Sequence, residues 1–428
     1  MSGVLNIVDA DTDQISLHTV VVGGTPTFMV QTADQTAEVV YDSTNNVLSL
    51  IDNSTETVET TTSSGGSAVG GKAALAGTVQ SAALVPGATM VYAAVPTASV
   101  ASNITGTVYG VSFPTGGILS VGIQGARYLS MDHNAMNMLV FSQNSDTVTL
   151  LTSYTAASSA ETLISSTGTL TPQPLPSSSS APNCSTTFSR PVAAVFSSDD
   201  KTAYVLSSGP ANSGTQAMVT VLDMAPSLNS EQLSPPQVPP ALPNIVQCIN
   251  VSGANVGLLP PTSTQLYVAG AAITCTTGAT PTCQQQGVLT VINTSASPLT
   301  ASSPVQFGPS APNLLPGVLT FDGTNLWIGS TGCQVSAGAA GCLSLYSPAS
   351  SQILATNSLP GVLTDLTDDV TGMVWLQPFN KRNIMYVIEG GALQVYDNYF
   401  NNLTTTVLNQ TDLDIVGQAV DAMAVKNN

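Results

Sequence analysis

The stretch that decides the fold is TAYVLSSG at residues 202–209, which is followed by MVTVLD at residues 218–223. Both segments are short and rich in apolar and β-branched residues. Turn-forming Pro, Asn, Ser and Gly lie between them, which is typical of two strands joined as a hairpin. A single copy of this pattern predicts only a hairpin, so its weight depends on whether it repeats.

The pattern repeats along the whole chain. Eight copies of the second segment occur, at residues 4–9, 47–52, 107–112, 147–152, 218–223, 288–293, 342–347 and 392–397. In seven copies another strand-like segment comes before this motif, and a further one comes before that segment. A weaker strand-like segment follows the motif, which makes four segments in each unit. Four short antiparallel strands repeated along a chain predict the blades of a β-propeller. We therefore expect an all-β fold, a single β-propeller over residues 1–428 with eight four-stranded blades, or seven if one copy is misjudged.

The two ends of the sequence are expected to close the ring. Residues 3–22 have the pattern of outer strands with no inner strand before them. Residues 415–425 have the pattern of an inner strand with no partners after it. Pairing of these N- and C-terminal strands in one blade would fasten the ring and remove exposed sheet edges.

The repeats resemble the YVTN-type β-propeller repeats of exported bacterial proteins. The likeness is clearest in TAYVLSSG with MVTVLDMAPS (202–227) and in TQLYVAG with VLTVINTSAS (264–297), and it extends over nearly the whole chain. Such motifs specify architecture and not chemistry. The resemblance implies export. No export signal is present and the chain begins inside a strand-like motif, so we expect a form from which the signal has been removed.

Composition excludes several classes of partner. The chain has 7 Lys and Arg against 25 Asp and Glu, and its formal net charge is −18 at pH 7. Such a surface cannot neutralise phosphates, so we expect neither a nucleic acid partner nor adsorption to anionic lipid. No apolar run reaches the roughly 18–20 residues needed to span a bilayer. Only 7% of the residues are charged, which leaves little repulsion against packing on copies of the same chain.

Six cysteines indicate disulfide bonds. Two pairs are local, Cys275 with Cys283 and Cys333 with Cys342, and neither has the spacing of a zinc site. Cys184 and Cys248 precede the expected inner strands of successive blades, so they could meet as a third pair. We predict these three bonds, with free buried thiols as the alternative. Disulfides indicate an oxidising compartment, extracellular or at the cell surface, with the periplasm as the alternative.

One face of the propeller is expected to carry the binding residues. With strands labelled A to D from the axis outward, the D–A and B–C connections share that face. The long connections are assigned to it, at residues 59–80, 154–189, 224–250, 271–286 and 331–341. Elaborated loops on a rigid scaffold are the usual place for binding, although the Pro- and Ser-rich content would also suit plain linkers.

Arg127 and Arg190 are the candidate ligand-binding residues. They occupy matching places just before two successive A strands. There they could line the mouth of the central channel and hold an anionic group. The alternative is that each pairs with a local carboxylate or carbonyl. Neither His18 nor His133 is expected to have a metal or acid–base role.

The acidic run near the N-terminus has two interpretations, a calcium site and an ordinary turn, and the turn is favoured. Asp9, Asp11 and Asp13 alternate as at the start of a calcium-binding loop. Such a loop needs Gly where Gln14 stands and Glu where Val20 stands. We therefore expect an ordinary turn, with no metal site and no cofactor elsewhere in the chain.

Two functions from different classes remain open. The first is an exported, non-enzymatic structural or binding protein of the cell surface or extracellular space. Its partners would be proteins, copies of itself or glycans. The alternative is a propeller hydrolase of the lactonase-like type, with its active site at the channel mouth. Fold alone does not give function, and no His, Glu and Asp cluster recurs at matching blade positions, so no catalytic residue is assigned.

Overall fold

A computed structural model describes most of the chain. The described residues are 3–32, 35, 37–62, 68–86, 90–99, 103–113, 117–152, 173–176, 180–184, 186–209, 217–231, 241–275, 283–311, 313–333, 342–356, 369–376, 383–397, 409–413, 415 and 417–424. Within these ranges the secondary structure is β-strand except for one short helix, α1 (Ala225–Glu231). No helix among the described residues is long and apolar enough to cross a membrane.

The chain begins with a two-stranded sheet, and seven larger sheets follow, which we number as blades 1 to 7. The first sheet, the N-terminal hairpin, consists of β1 (Val4–Asp9) and β2 (Gln14–Val21). Blade 1 consists of β3 (Pro26–Gln31), β4 (Ala37–Asp42), β5 (Val47–Asp52) and β6 (Thr57–Val58). After it come β7 (Thr60–Thr62) and β8 (Ala68–Gly70), which pair with each other, and β9 (Lys72–Ala74), which pairs with β5.

Blades 2 to 4 have four strands each in sequential order. Blade 2 contains β10 (Ser81–Leu84), β11 (Val91–Val95), β12 (Thr107–Ser112) and β13 (Gly117–Gly122). Blade 3 contains β14 (Ala126–Met131), β15 (Asn137–Ser142), β16 (Val148–Thr152) and β17 (Gln173–Pro174). Blade 4 contains β18 (Pro191–Phe196), β19 (Thr202–Ser207), β20 (Ala217–Asp223) and β21 (Asn244–Val251).

Blades 5 to 7 follow the same order, and blade 5 gains a fifth strand. It contains β22 (Val256–Leu258), β23 (Gln265–Cys275), β24 (Cys283–Asn293), β25 (Thr300–Ala301) and β26 (Val305–Ala311). Blade 6 contains β27 (Leu315–Phe321), β28 (Leu326–Thr331), β29 (Leu343–Ser347) and β30 (Gln352–Thr356). Blade 7 contains β31 (Val370–Leu376), β32 (Ile384–Glu389), β33 (Ala392–Asp397) and β34 (Asn409–Leu413).

The arrangement is a single β-propeller. The first strand of each blade contacts the first strand of the next from β3 round to β31, so these strands form the inner ring and the fourth strands lie outside. Strands within each blade pair antiparallel, as in β4 with β5. The predicted all-β propeller is confirmed. The structure has seven blades, so the alternative count is confirmed and the count of eight is wrong.

The eighth repeat copy explains the miscount. Residues 4–9 do form a strand, β1, but β1 pairs only with β2 and makes no four-stranded sheet. A repeat motif identifies one strand and not the three others that complete a blade. No strand is assigned at the described positions among residues 417–424, which we call the closing segment. Whether residues 415–425 and 3–22 together make up one blade of a single domain stays a prediction.

The core lies between neighbouring sheets. Because strand side chains alternate between faces, Leu48 and Leu50 of β5 pack with Val91 of blade 2. Ile51 faces the other way and packs with Val20 of the N-terminal hairpin. Each second strand also buries one large aromatic side chain: Tyr41, Tyr92, Phe141, Tyr204, Tyr267, Trp327 and Tyr386. Full burial of such a side chain stabilises the fold by roughly 1.5–3 kcal/mol.

The N-terminal hairpin and the closing segment fill the space between blades 7 and 1. Leu5 and Ile7 of β1 pack against blade 1, whereas Val8 packs against blade 7. The amide of Ala419 donates to the carbonyl of Gly391 in blade 7. The ring is therefore closed by packing of both chain ends between the same two blades.

Candidate functional site

The two faces of the ring differ in their connections. The D–A and B–C connections form the loop face, and the A–B and C–D connections form the turn face. Residues 224–231 follow the third strand of blade 4 and residues 241–243 precede its fourth strand, β21, so these described residues lie on the turn face. Their assignment to the loop face was wrong, because the outer strand of blade 4 follows this connection and does not precede it. Cys248 accordingly lies within β21 and not before an inner strand.

Disulfides brace the loop face. Cys184 and Cys248 are bonded, with Cα atoms 5.0 Å apart, as predicted. Cys333 and Cys342 are bonded across the B–C connection of blade 6, with Cα atoms 5.6 Å apart, as predicted. In blade 5 the backbones of Cys275 and Cys283 are paired directly across β23 and β24, and Cys283 is disulfide-bonded. The Cys275 side chain lies outside the described residues.

The cluster of Cys333, Cys342 and Asp369 is not a metal site. It is the one group of three potential ligands found close together among the described residues. Both sulfurs are held in a disulfide, and a metal needs thiolates. Asp369 instead accepts a hydrogen bond from the backbone amide of Gly332 at 2.6 Å. This carboxylate fastens the disulfide loop to the start of blade 7.

Arg127 and Arg190 are each engaged within their own surroundings. Arg127 lies in β14, and its guanidinium lies 4.8 Å from the centre of the Tyr128 ring. The backbone amide of Arg190 donates to the Asp146 carboxylate at 2.8 Å. A cation over an aromatic face gains about 0.5–1 kcal/mol at an exposed site. The ring contact orients the Arg127 side chain, whereas the Asp146 bond holds only the backbone of Arg190. A shared anionic ligand stays a prediction.

The acidic run at Asp9, Asp11 and Asp13 forms the turn of the N-terminal hairpin. The Asp9 carboxylate accepts hydrogen bonds from the amide of Asp11 at 2.9 Å and the hydroxyl of Thr12 at 2.8 Å. These bonds hold the pKa of Asp9 below its usual value. Asp13 accepts a hydrogen bond from the Tyr386 hydroxyl at 2.7 Å. The carboxylates at both ends of the run thus have protein partners, and calcium binding stays a prediction.

A cavity of about 400 Å³ opens where inner strands end on the turn face. Its walls come from the ends of β3, β10 and β14, the turns after β10 and β14, and the closing segment. The lining residues are Met29, Val30, Gln31, Ala82, Ala83, Leu84, Pro86, Met131, Asp132, His133 and Met423. The size suits a small molecule, and the lining is mostly apolar with a few polar groups, as in ordinary ligand sites.

His133 is the imidazole side chain among the residues that line this cavity. Its Nδ1 lies 2.6 Å from Oδ1 of Asp200, in the corresponding turn of the next blade. Asp200 is 1% exposed. It also accepts bonds from the amides of His133 and Asn134 and from the Asn134 side chain. Because a carboxylate only accepts, Nδ1 carries the shared proton. In the neutral ring Nε2 then carries the lone pair.

Asp132 lies directly beside this pair. Burial, with a smaller contribution from the neighbouring Asp200, raises the pKa of Asp132 to about 6 against the opposing hydrogen bonds from Asn137 and Met136. Its oxygens accept the amides of Met136 and Asn137. Asp132 therefore shapes the turn that presents His133.

The prediction that His133 has no metal or acid–base role stays a prediction. The contact with Asp200 was missed, because His133 lies in the A–B turn of blade 3 and its partner is 67 residues away in the sequence. The available signal was positional, because MDHNAMN (131–137) and SSDDKT (197–202) are the A–B turns of successive blades. Aligning the turns blade by blade would have brought His133 and Asp200 together.

Comparison with solved structures supports the propeller fold. The Dos1 propeller has a TM-score of 0.55 at 10% identity, over 94% of this chain and 87% of that chain. The C-terminal WD40 domain of Sif2 has a TM-score of 0.52 at 9% identity, over 93% and 90%. A putative 6-phosphogluconolactonase from Bacteroides fragilis has a TM-score of 0.50 at 9% identity, over 92% and 96%. At these identities the likeness establishes the fold alone.

The chain matches no protein-family model and no curated protein sequence. The resemblance to YVTN-type repeats and to exported proteins therefore stays a prediction. The function has to be argued from the chain's own residues.

Proposed function

We propose that the protein is an exported, non-enzymatic β-propeller that binds a protein or glycan partner through its loop face. Its place would be the cell surface or the extracellular space, where disulfides persist. If the protein has a structural role, copies of the chain would bind one another through the same loop face. The low share of charged residues, 7%, limits repulsion between copies, although each copy carries the same net sign.

The bracing of the loop face is the observation that carries this proposal. The Cys333–Cys342 bond lies on that face, and the Cys184–Cys248 bond ties the connection before β18 to an outer strand. The β23–β24 hairpin continues to Cys275 and Cys283, and β26 pairs along its base. Bracing lowers the entropy that loops lose when they bind. Loops that served only as linkers would gain little from it.

The test removes the part of the β23–β24 hairpin that extends from the loop face and keeps the rest of blade 5. Gly270 and Val288 are paired across β23 and β24, so residues 271–287 can be replaced by an Asn-Gly turn, which favours two-residue hairpins. Binding of the full chain to chitin, cellulose and peptidoglycan is measured by sedimentation, and self-association by light scattering. We expect at least tenfold weaker binding or association for the shortened variant. His133→Gln, on the opposite face, is the control and should behave as wild type.

Two results would overturn the proposal. One is the absence of both polysaccharide binding and self-association in the wild type. The other is equal binding by the wild type and the shortened variant. Circular dichroism and thermal unfolding of the shortened variant establish beforehand that the propeller is intact.

A second candidate function is hydrolysis of small lactones or esters in the turn-face cavity. The His133–Asp200 contact favours it, because an imidazole oriented by a buried carboxylate is a competent general base. Nε2 would take a proton from water while the hydroxyl oxygen adds to the acyl carbon. The acyl C–O bond then breaks, and the proton passes from Nε2 to the leaving oxygen. The putative lactonase among the structural neighbours shares only the fold, so it adds no support for this chemistry.

The hydrolase proposal is tested with a panel of γ- and δ-lactones and p-nitrophenyl esters. We expect His133→Gln to lower kcat/KM by about 10²-fold or more, the usual contribution of a general base. Asp200→Asn should lower it less and alter the pH profile, since it acts through the orientation of the ring. Rates equal to buffer in the wild type, or equal rates in His133→Gln, would exclude the proposal.

A further inference from the structure

The contact between blade 1 and the closing segment, which we call the seam, includes a hydrogen bond to a carboxylate. Asp421 accepts the backbone amide of Met29, in the inner strand β3, at 2.9 Å. Its other oxygen accepts the amide of Ala422 at 2.9 Å. One residue pair further on, the Gln31 side chain donates to the carbonyl of Ala424. Of the two contacts with β3, the one at Asp421 therefore depends on a titratable group.

A second carboxyl is buried beside this contact. Glu38 lies in β4, directly across from Gln31 in the register of blade 1, and it is 6% exposed. Burial raises the pKa of Glu38 to about 7, and the charge of Asp421 adds to the shift. Burial also raises the pKa of Asp421 to about 6, against the opposing hydrogen bonds from Met29 and Ala422. No cation contributes to either shift.

Other charged groups on the surrounding elements are engaged elsewhere. Lys72 of β9 donates to the carbonyl of Val22 at 3.1 Å. Asp42, at the far end of β4, accepts the amide of Thr25 at 2.8 Å. His18 of β2 has its Nε2 3.2 Å from the carbonyl of Glu56.

Across the cavity, Nδ1 of His133 lies 2.6 Å from Oδ1 of Asp200. Asp132 accepts the amides of Met136 and Asn137. Among the described residues, the elements packed around the seam therefore offer the two carboxyls no counter-charge, and their interaction is repulsive when both are ionised.

We propose that Glu38 and Asp421 form a pH-dependent clasp that holds the closing segment on blade 1 in mildly acidic solution and releases it when both ionise. In mildly acidic solution Glu38 carries the proton, because its pKa is raised to the higher of the two values. The Asp421 carboxylate is then free to accept the Met29 amide. Both groups bind protons more tightly in the folded state than in the unfolded chain. Their contribution is therefore fully present in acid and is lost as the pH rises through about 6 to 7.

Release of the closing segment would also open the turn-face cavity. Met423 belongs to that segment and lines the cavity. The inner edge of β3 would lose its contact at the Met29 amide, and a bared strand edge can accept an added strand. The clasp thus couples solution pH to access to the turn-face cavity. This inference depends on neither function proposed above.

The test is hydrogen–deuterium exchange of the full chain at pH 5 and pH 8, corrected for intrinsic exchange rates. We expect peptides covering 417–424 and 26–31 to lose at least tenfold in protection at pH 8. Peptides covering β18 should not change. Glu38→Gln removes the charge and keeps the shape, so it should stay protected at pH 8. Asp132→Asn is the matched control, a buried carboxyl in blade 3, and should open as the wild type does.

Equal protection of the closing segment at pH 5 and pH 8 in the wild type would overturn the clasp. So would a Glu38→Gln variant that opens at pH 8 to the same extent as the wild type. The comparison of the wild type at the two pH values decides the question without any variant.

Discussion

The strands VLNIVD (β1, Val4–Asp9) and VLSLID (β5, Val47–Asp52) are two copies of one motif in different surroundings. The four central residues of β5 are buried, whereas every residue of β1 is only half-buried or exposed. β5 is paired with β4 and β6 and covered by blade 2 on one side. β1 is paired with β2 alone. The motif therefore encodes a strand, and its neighbours determine how much that strand is buried.

This difference locates the weakest part of the ring. Blades 1 to 7 each contain at least four paired strands. The sector between blades 7 and 1 has one hairpin and a segment without assigned strand structure, joined to its neighbours by individual hydrogen bonds. Local opening should begin where buried apolar contacts and ladder bonds are fewest. We expect that sector to open before any complete blade.

Matched core truncations should give the largest effect. Leu48 in β5 and Leu5 in β1 occupy the same motif position, but Leu48 is 0% exposed and Leu5 is half-buried. Leu48→Ala should lower the free energy of unfolding by about 2–5 kcal/mol, the usual cost of such a cavity. Leu5→Ala should cost about 1 kcal/mol, since its surroundings can collapse or hydrate. Urea denaturation at pH 5 measures both, and equal losses would contradict the comparison.

Two buried tyrosines give a smaller effect. The Tyr41 hydroxyl donates to Asn46 and accepts the amide of Val79, whereas the Tyr386 hydroxyl donates to Asp13 across the closing sector. Tyr41→Phe leaves a buried amide without that acceptor, so it should cost about 1–3 kcal/mol. Tyr386→Phe should cost about 0.5–1.5 kcal/mol, as for an ordinary hydrogen bond. Thermal unfolding of the two variants measures these losses. A loss for Tyr386→Phe as large as that for Tyr41→Phe would mean that the sector between blades 7 and 1 is as rigid as blade 1.

The pH dependence of stability should be the smallest effect. Asp42 and Asp52 have pKa values below the usual range, so their stabilisation is present near neutrality and is lost as the pH falls through those low pKa values. Glu38 and Asp421 act in the opposite sense, and their contribution is lost above about pH 6 to 7. We expect the urea midpoint to be highest near pH 5. Glu38→Gln should flatten the decline toward pH 8, and an unchanged decline would remove Glu38 as its cause.

Strand positions were the part of the fold that the sequence predicted well. The repeat motif placed β5 at 47–52, β12 at 107–112 and β33 at 392–397, with the bounds found in the structure. These strands were predictable because alternation, β-branched residues and turn formers are local signals. The blade count was not, because completing a blade depends on three further strands. The face carrying residues 224–231 and 241–243 was also missed, since a weak outer strand leaves little mark on the sequence.

The candidate site was less predictable than the fold. Two disulfide pairings followed from spacing and repeat position and are confirmed. The contact between His133 and Asp200 joins turns of two blades, and the Glu38–Asp421 pair joins β4 to the closing segment. Such contacts depend on how blades are placed side by side, which local sequence patterns do not specify. The possible chemistry of a turn residue therefore becomes evident only when the turns of neighbouring blades are placed side by side.

The most direct test of the central claim is amide exchange at residues 4–9 and 47–52 in the same sample at pH 5. We predict that the β1 amides exchange at least tenfold faster than those of β5, although the two strands share one motif. Such a ratio would identify the sector between blades 7 and 1 as the place where the ring opens. Equal protection of the two strands would contradict the account and would favour a complete eighth blade.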